Sequence, residues 1–371
     1  MKTKSYLFAA ASATLMLASC TQNEVVEMPA TRAIGFGTYV GNTSRAAAED
    51  TDLDFLKNET KGNGFYVFGS YLNTPNDFNS EIVVFDGKSS QSHVMYKGSA
   101  WGYSPINYWL VGKQYRFVAY GPAAASNNGT ATFKYADNTL SVEDFEATGN
   151  LDLVVAEGKN NVNDYILASE TATMEAVKFK FFHALSKVRF TFKNGWRNLV
   201  TLHVSEVTLK GVKRTGDLVT TGTLAAATAP FALEKWSNQA VKTDGNDYTW
   251  KKENGDDDTF SSTTTDESYP YEYFLMPQAL EADAIKLTFT CQVTNDQGNG
   301  PNLGAGAGKP VDVSVTIPVT TNVSAWEPGK AYNYTLTIDG DLFGLKPIQF
   351  DTVEMVEWVN AQDQPIPNPQ P

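Results

Sequence analysis

The chain carries three histidines, the side chains most often used for acid-base and metal chemistry in proteins. They are His93, His183 and His203, which lie far apart, each in or beside a run of alternating apolar residues. A metal or nucleophilic site needs clustered ligands, or a base beside an activated nucleophile. No HExxH, GxSxG or paired CxxC motif occurs. We therefore predict structural histidines, no catalytic residue and no metal site, and hence no enzymatic activity.

Two polar stretches invite a phosphate or calcium interpretation. In NLGAGAGKP (302–310), Leu303 stands where a phosphate loop has its first glycine, Pro310 replaces the Ser or Thr, and a strand pattern follows. NGDDDT (254–259) lacks the spacing of an EF-hand loop. We predict surface loops and no cofactor. The sequence leaves open a calcium or sugar site in the long loops 244–268 and 295–309.

Cys20 is placed for covalent lipid attachment. Residues 1–19 combine Lys2 and Lys4, an apolar run too short to span a bilayer, and small residues directly before the cysteine. This arrangement resembles a bacterial lipoprotein signal, with an ordinary secretory signal as the alternative. The other cysteine is Cys291, so a chain acylated at Cys20 has no internal disulfide.

The composition excludes one large class of partner. With 29 Lys and Arg against 42 Asp and Glu, the net charge is −13, and no basic cluster appears. Phosphate backbones are bound through such clusters. We therefore predict no nucleic-acid binding. Aromatic residues make up 12% of the chain, which is typical of an ordered protein rich in strands.

Short β-type runs separated by Gly, Asn, Asp and Pro fill the chain after residue 45, and this spacing predicts an all-β fold of two tandem β-sandwiches. The densest alternation, residues 177–196, predicts the last strand of one sandwich leading into the first of the next. We place the domains at 46–184 and 185–345, followed by a tail at 346–371. A short helix is predicted over Ser141 to Ala147.

The same five-residue pattern occurs near both ends of the chain. Residues 34–38 read IGFGT and residues 348–352 read IQFDT. Two strands that share a pattern can each fit the same position in a sheet, one in place of the other. The first, which extends to Val40, is followed by a polar segment ending at Arg45 of the kind that proteases cut. The second continues into an apolar strand that is an association hazard when exposed. The alternative is that this tail is the last strand of its own sandwich.

Several segments together resemble the fimbrillin family, the Mfa-like pilins of Gram-negative anaerobes. They are the signal ending at Cys20, the segment WGYSPINYW (101–109), YRFVAYGP (115–122), LDLVVAEG (151–158), HALSKV (183–188), VTLKGV (207–212), FLMPQ (274–278) and WEPGKAYNYTLTI (326–338). The resemblance implies two transthyretin-like β-sandwiches with a C-terminal donor-strand extension. It also implies export to the outer membrane as a lipoprotein and assembly into surface fimbriae.

In the major subunits of this family an arginine-specific protease removes the N-terminal segment with its first strand, and the tail of another subunit fills the groove left behind. By resemblance, residues 20–45 are removed by a cut between Arg45 and Ala46; a cut at Arg32 would leave the first strand in place. The outgoing strand then comprises Ile34, Phe36, Thr38 and Val40. The donor strand comprises Ile348, Phe350, Thr352, Val353, Met355, Val356 and Trp358.

The predicted partners follow from this assembly: other fimbrillin subunits in a head-to-tail polymer, an arginine-specific protease, and the outer membrane through the lipid on Cys20 before cleavage. A glycan or protein on a host or bacterial surface is a further predicted partner. Two alternatives remain. A fimbrial anchor would keep Cys20 and a tip would lack a usable tail; a monomeric glycan-binding lipoprotein would pack residues 348–358 against its own domain. The aromatic residues of the 101–109 segment are expected to pack in the core.

Overall fold

The computed structural model describes residues 33–39, 54–136, 139–159, 166–168, 174–195, 201–221, 232–233, 236–242, 247–249, 260–262, 269–294, 310–338, 350 and 352–357. Strands account for most of these residues, so the all-β prediction is confirmed. Within these ranges no helix has the length and apolar character needed to cross a membrane.

The strands of the first half are β1 (Phe36–Tyr39), β2 (Phe65–Leu72), β3 (Glu81–Asp86), β4 (His93–Lys97), β5 (Ala100–Gly102), β6 (Gln114–Gly121), β7 (Thr130–Lys134), β8 (Thr139–Glu146), β9 (Val154–Lys159), β10 (Ile166–Leu167) and β11 (Val177–His183). Helix α1 (Asp54–Lys57) and short 3₁₀ helices at Phe78–Ser80, Ser90–Ser92 and Ala123–Asn128 connect them.

The strands of the second half are β12 (Ser186–Asn194), β13 (Thr201–Lys210), β14 (Lys213–Thr221), β15 (Ala232–Leu233), β16 (Ser237–Val241), β17 (Tyr248–Thr249), β18 (Phe260–Ser262), β19 (Tyr269–Leu275), β20 (Gln278–Ala279), β21 (Lys286–Thr294), β22 (Val311–Thr316), β23 (Ala325–Trp326), β24 (Lys330–Ile338) and β25 (Thr352–Glu357).

The helix predicted over Ser141 to Ala147 is wrong, because these residues belong mainly to β8. Leu140 and Val142 alternate with more exposed neighbours and point into the core. Strand β8 pairs with β7 on one side and with β14 on the other. A bulge at Asp144, whose φ is +52°, then turns Phe145 inward. The bulge interrupts the period of two, which hid the strand in the sequence.

The first sheet begins with β1. Its strand order is β1-β11-β9-β6-β2-β4-β5, with β3 and β10 paired at the sides. Consecutive residues of β6 face opposite sides of the sheet: Phe117 lies in one apolar cluster and Val118 in another. The sheet is therefore buried on both faces, which explains the nearly continuous apolar sequence of this strand.

A second sheet packs against one face of the first and has the order β7-β8-β14-β15, with β16 beside β14. The core between them contains Val118, Phe145, Leu218 and Met276. Strands β7 and β8 precede the predicted boundary at 184/185, whereas β14 to β16 follow it. This sheet therefore combines strands from both predicted domains, and the division at that boundary stays a prediction.

Two further sheets enclose the core of the C-terminal half. Their orders are β19-β12-β24-β25 and β17-β13-β21-β22. The core between them is rich in aromatic residues such as Phe190, Phe289 and Tyr334. Strand β12 pairs in parallel with β24, just as β1 pairs in parallel with β11. In both halves, therefore, the first strand lies parallel to a strand near the end of that half. The transthyretin-like arrangement in detail stays a prediction.

The passage from β11 to β12 is held by main-chain hydrogen bonds on both sides. The Ala184 N–H donates to the Leu153 carbonyl at 2.7 Å, and the Gly329 N–H donates to the Leu185 carbonyl at 2.9 Å. The Trp236 indole donates to the Ala184 carbonyl at 2.8 Å. These bonds satisfy the buried peptide groups where the chain passes from one sheet to the next.

Candidate functional site

Strand β1 is an edge strand that fills a groove in the first sheet. Phe36, Gly37, Thr38 and Tyr39 pair in parallel with residues 177–180 of β11. The Val177 N–H donates to the Gly35 carbonyl at 2.8 Å. Ile34 and Phe36 alternate with two glycines, so one face of the strand is apolar and the other carries no side chain at these positions. This alternation places both large side chains in the core.

Phe36 sits in a pocket made of four aromatic rings. Its ring centroid lies 5.3 Å from those of Phe85 and Tyr103, 5.6 Å from Phe179 and 6.0 Å from Phe117. Only 7% of Phe36 is exposed. Burying a phenylalanine side chain stabilises a fold by about 1.5–3 kcal/mol. The pocket is therefore the main apolar contact of β1.

The main chain at Ile34 is held on both sides. Its N–H donates to the Asn107 carbonyl at 2.8 Å, and its carbonyl accepts from the Tyr103 hydroxyl at 2.8 Å. The same hydroxyl accepts from the Asn107 N–H at 3.1 Å. The phenol is protonated at neutral pH and can donate, and burial raises the pKa of Tyr103 further, to about 12.

Thr38 connects β1 to the far end of the first sheet. Its hydroxyl oxygen accepts from the Trp101 indole N–H at 3.3 Å. Trp101 belongs to β5, the last strand of the path that begins with β1. Its ring packs edge-on against Phe65 at 4.9 Å and Tyr96 at 5.3 Å. Strand β1 therefore pairs with β11 along its backbone and contacts β5 through the side chain of Thr38.

The predicted donor strand lies on the chain's own C-terminal half in this structure. Strand β25 pairs antiparallel with β24 at the edge of its sheet. Phe350 is half-buried, with its ring centroid 5.3 Å from Tyr334 and 6.3 Å from Phe190. Val353 is half-buried, and Met355 is 44% exposed. This arrangement holds the tail against its own sandwich through an apolar contact that leaves part of Phe350 in solvent.

The structure brings some predicted residues together and leaves others undescribed. Ile34, Phe36 and Thr38 converge on the 101–107 segment, as described above. The tail is not brought to that groove. Cys20, Arg32, Val40, Arg45, Ala46, Ile348 and Trp358 lie outside the described residues, as do residues 254–259 and 302–309. The surface loop predicted over 244–268 is interrupted by strands β17 and β18, and Tyr248 of β17 is only 4% exposed. Thr352 and Val356 are described as strand backbone only.

Sequence reasoning missed the residues that hold β1. Trp101 and Tyr103 were expected only to pack in the core with the other aromatic residues of this segment, which holds for Tyr103 and for Trp109, at 6% and 1% exposure. No role was predicted for Asn107. The hydrogen bonds that join Trp101, Tyr103 and Asn107 to Ile34 and Thr38 span more than 60 positions of sequence, so no local pattern reveals them. The one available indication was the density of hydrogen-bonding aromatic residues in the 101–109 segment.

The three histidines have separate surroundings. His93 Nε2 contacts the Asn63 carbonyl at 2.5 Å, His183 Nδ1 contacts the Asp152 carboxylate at 2.5 Å, and His203 Nε2 lies 3.1 Å from the Thr294 hydroxyl. Burial raises the pKa of Asp152. Within the described ranges no three His, Cys, Asp or Glu side chains are grouped as metal ligands.

Comparisons with known proteins agree on one family. A family model described as Fimbrillin-like matches residues 57–358, which begins after β1 and includes β25. Fimbrium subunit Fim1C of Phocaeicola vulgatus is 28% identical over 206 residues, 51% of this chain and 50% of that protein. The chain thus aligns with about half the length of this curated relative.

Two solved structures resemble this chain, and the first has a matching fold. A fimbrial protein from Bacteroides vulgatus has a TM-score of 0.51 at 16% identity, over 88% of this chain and 99% of that one. A putative cell adhesion protein from Bacteroides uniformis has a TM-score of 0.40 at 15% identity, over 89% of this chain and 100% of that one.

Proposed function

The chain belongs to the fimbrillin-like family, and from this premise we propose that it is a structural subunit of cell-surface fimbriae. In this proposal it is exported as a lipoprotein, cleaved after an arginine, and polymerised when the tail of one subunit replaces β1 of the next. Family membership agrees with the sequence prediction of a structural protein, not an enzyme. The curated relative, a fimbrium subunit, supports the same role.

One observation carries the proposal: the edge strand β1 covers an apolar groove lined by aromatic rings. Ile34 and Phe36 are 1% and 7% exposed. Their burial represents about 3–6 kcal/mol of gross apolar stabilisation, an upper figure because the unfolded chain already buries some surface. Removal of β1 would expose the pocket around Phe36 and the hydrogen-bonding edge of β11. Such an edge is a template for another strand.

The resting position of Phe350 supports the tail as that other strand. In its own half the ring has two aromatic neighbours, Tyr334 and Phe190, whereas the Phe36 pocket offers four. Transfer of Phe350 into an emptied pocket would therefore increase its burial. This gain must exceed the loss of the β24–β25 pairing and the entropy of ordering the tail.

Such an exchange gives a filament because donor and groove lie on different parts of the subunit. A contact between two different surfaces does not close on itself unless the rotation happens to form a ring. In the proposal, cleavage between Arg45 and Ala46 removes the lipid-bearing Cys20 together with β1, which frees the subunit from the membrane. A cut at Arg32 would keep β1 and block assembly. An anchor or tip subunit stays the alternative.

The proposal is tested by digesting the precursor, residues 21–371, with an arginine-specific protease. The products are analysed by N-terminal sequencing and by gel electrophoresis without boiling. A new terminus at Ala46 and a ladder of denaturant-resistant oligomers are expected. Arg45→Lys should abolish both, while the matched control Arg32→Lys should leave both intact. Cleavage at Arg45 without oligomers would instead favour the anchor, tip or monomeric alternatives.

A further inference from the structure

We infer that the emptied groove binds the tail of a second copy of this chain in a single register, parallel to β11, and that the Trp101 indole selects the hydroxyl of Thr352. In this register residues 346–352 take the positions of residues 32–38. The inference rests on the strand-exchange function proposed above. It adds the direction of the incoming strand, its alignment and one residue that discriminates between strands.

The two glycines of β1 indicate that the tail fits this register. Gln349 and Asp351 would stand where Gly35 and Gly37 are now. A Cβ atom added at Gly37 meets nothing within 4 Å, and one added at Gly35 comes to 3.4 Å from the Ala176 Cβ, an ordinary van der Waals contact. Neither glycine has a positive φ that a side chain would strain. Both longer side chains can therefore extend from this face.

The proline of the tail fits as well. Pro347 would take the position of Ala33, which forms an antiparallel bridge with Tyr108. Next to this bridge the Ile34 N–H donates to the Asn107 carbonyl, and this bond does not use the N–H of Ala33. Proline, which has no N–H, can therefore occupy this position without loss of that bond. Ile348 would supply the N–H that Ile34 supplies now.

Other registers place the tail's aromatic ring badly. A shift by one residue would turn Phe350 to the opposite face of the sheet. A shift by two would place it at Ile34 or Thr38 and put Thr352 or Ile348, neither of them aromatic, into the four-ring pocket around Phe36. A strand in the reverse direction would not present isoleucine, phenylalanine and threonine in the order that the groove now holds.

Trp101 is the group that discriminates among strands in this register. An indole N–H can only donate a hydrogen bond, and Thr38 now accepts it at 3.3 Å. Phe65 and Tyr96 pack against the indole ring, and neither belongs to β1, so the ring keeps its support when β1 leaves. The N–H then needs a new acceptor. Thr352 provides a hydroxyl two residues after Phe350, as Thr38 does after Phe36.

The test uses the precursor, residues 21–371, carrying Phe350→Asp, since the carboxylate keeps the protein's own tail out of the apolar groove. A site for an unrelated sequence-specific protease is inserted between residues 41 and 45. Cleavage at that site makes β1 exchangeable without depending on natural processing. A fluorescent peptide of residues 346–360 is then titrated into the cut protein and followed by anisotropy. A peptide of residues 33–43 serves as the positive control, because it must rebind the groove.

A double-mutant cycle isolates the hydroxyl. Thr352→Val in the peptide keeps the shape but removes the acceptor, and it should weaken binding about threefold to tenfold. Thr352→Ser keeps an acceptor and should bind more tightly than the valine peptide. Against Trp101→Phe protein, the threonine and valine peptides should bind within about twofold of each other, because the coupling is then absent.

Three results separate the inference from the proposed function. Coupling between Trp101 and Thr352 supports both. If the threonine and valine peptides bind equally to the protein that retains Trp101, the proposed role of Trp101 is overturned, but strand exchange is not. Failure of the tail peptide to bind, when the 33–43 peptide rebinds, overturns strand exchange with this tail and the inference with it.

Discussion

The rings of Phe36 and Phe179 stack with their centroids 5.6 Å apart and their planes 29° apart. Phe179 lies in the middle of β11, a strand with partners on both sides, whereas Phe36 lies in the edge strand β1. The edge of this sheet therefore supplies two of the buried residues of its core, Phe36 from β1 and Ile34 from the segment just before it. Whatever removes β1 removes Phe36 from the core with it.

Truncation of the two phenylalanines should have unequal effects on the uncut precursor. Phe36→Ala empties a four-ring pocket and should lower the free energy of unfolding by about 3–5 kcal/mol. Phe350→Ala should cost less, because the ring is half-buried beside two aromatic neighbours. Urea titration of residues 21–371 measures both. Equal losses would contradict the difference in burial between the two sites.

A charge at Phe350 should block assembly without unfolding the subunit. In Phe350→Asp the carboxylate can stay in solvent at the edge of the C-terminal half, but it cannot enter the pocket around Phe36 without a large desolvation penalty. A folded, cleavable monomer that forms no ladder is expected. Val319→Asp, at a position that is 44% exposed, is the matched control and should polymerise. Unfolding of Phe350→Asp would mean that the tail is part of its own core.

Tyr103→Phe should loosen β1. The change removes the donor to the Ile34 carbonyl and the acceptor of the Asn107 N–H, and buried groups left without partners cost about 1–3 kcal/mol each. After cleavage, the released segment should dissociate faster from this variant than from the unchanged protein. Size-exclusion chromatography with detection of the segment measures the rate. An unchanged rate would show that these bonds do not retain β1.

The same tyrosine should contribute a pH dependence. Burial raises its pKa from 10.0 to about 12. Because the folded value is the higher one, the stabilisation is fully present below pH 10 and is lost as the pH rises towards 12. Other buried tyrosines behave similarly, so the comparison with Tyr103→Phe is needed. Urea titrations at about pH 9 and about pH 11 measure the fall in the free energy of unfolding between the two pH values. This fall should be smaller in Tyr103→Phe than in the wild-type protein.

Grafting the tail sequence into β1 should leave the precursor folded. The combined changes Ala33→Pro, Gly35→Gln and Gly37→Asp convert residues 33–38 into the sequence of residues 347–352. We expect a change in the free energy of unfolding of less than about 1 kcal/mol, since volume is available at these positions and loss of glycine restricts the unfolded chain. Gly69→Ala is the contrasting variant, because its Cβ would lie 2.6 Å from the Phe117 ring. A graft as damaging as Gly69→Ala would contradict the proposed register.

The sequence predicted strand content well and long-range contacts poorly. Alternation at Ile34 and Phe36 was sufficient to predict a strand, but the parallel pairing with β11 depends on residues more than 130 positions away. The bulge at Asp144 concealed β8, because one extra residue shifts the alternation. The hydrogen bonds of Trp101 and Tyr103 arise only when two distant segments meet. For the tail, an apolar strand suits either its own sandwich or another groove, and its sequence cannot distinguish them.

The central claim, exchange of β1 for the tail of another subunit, is tested most directly by an intersubunit disulfide. Gly37 lies opposite Lys178 in the β1–β11 ladder, so Asp351 of one subunit should lie opposite Lys178 of the next. Neighbouring strands are about 4.8 Å apart, which a disulfide can span. The remaining cysteine, Cys291, is fully buried and should not compete.

The pair Lys178→Cys and Asp351→Cys is introduced into residues 21–371, the protein is cut, and the products are separated under non-reducing conditions. Disulfide-linked dimers and longer chains should appear only after cleavage. The control pair, Lys180→Cys with Asp351→Cys, should give few disulfide-linked products. Absence of linked chains from the first pair, or equal linkage in both pairs, would contradict exchange of β1 for the tail in this register.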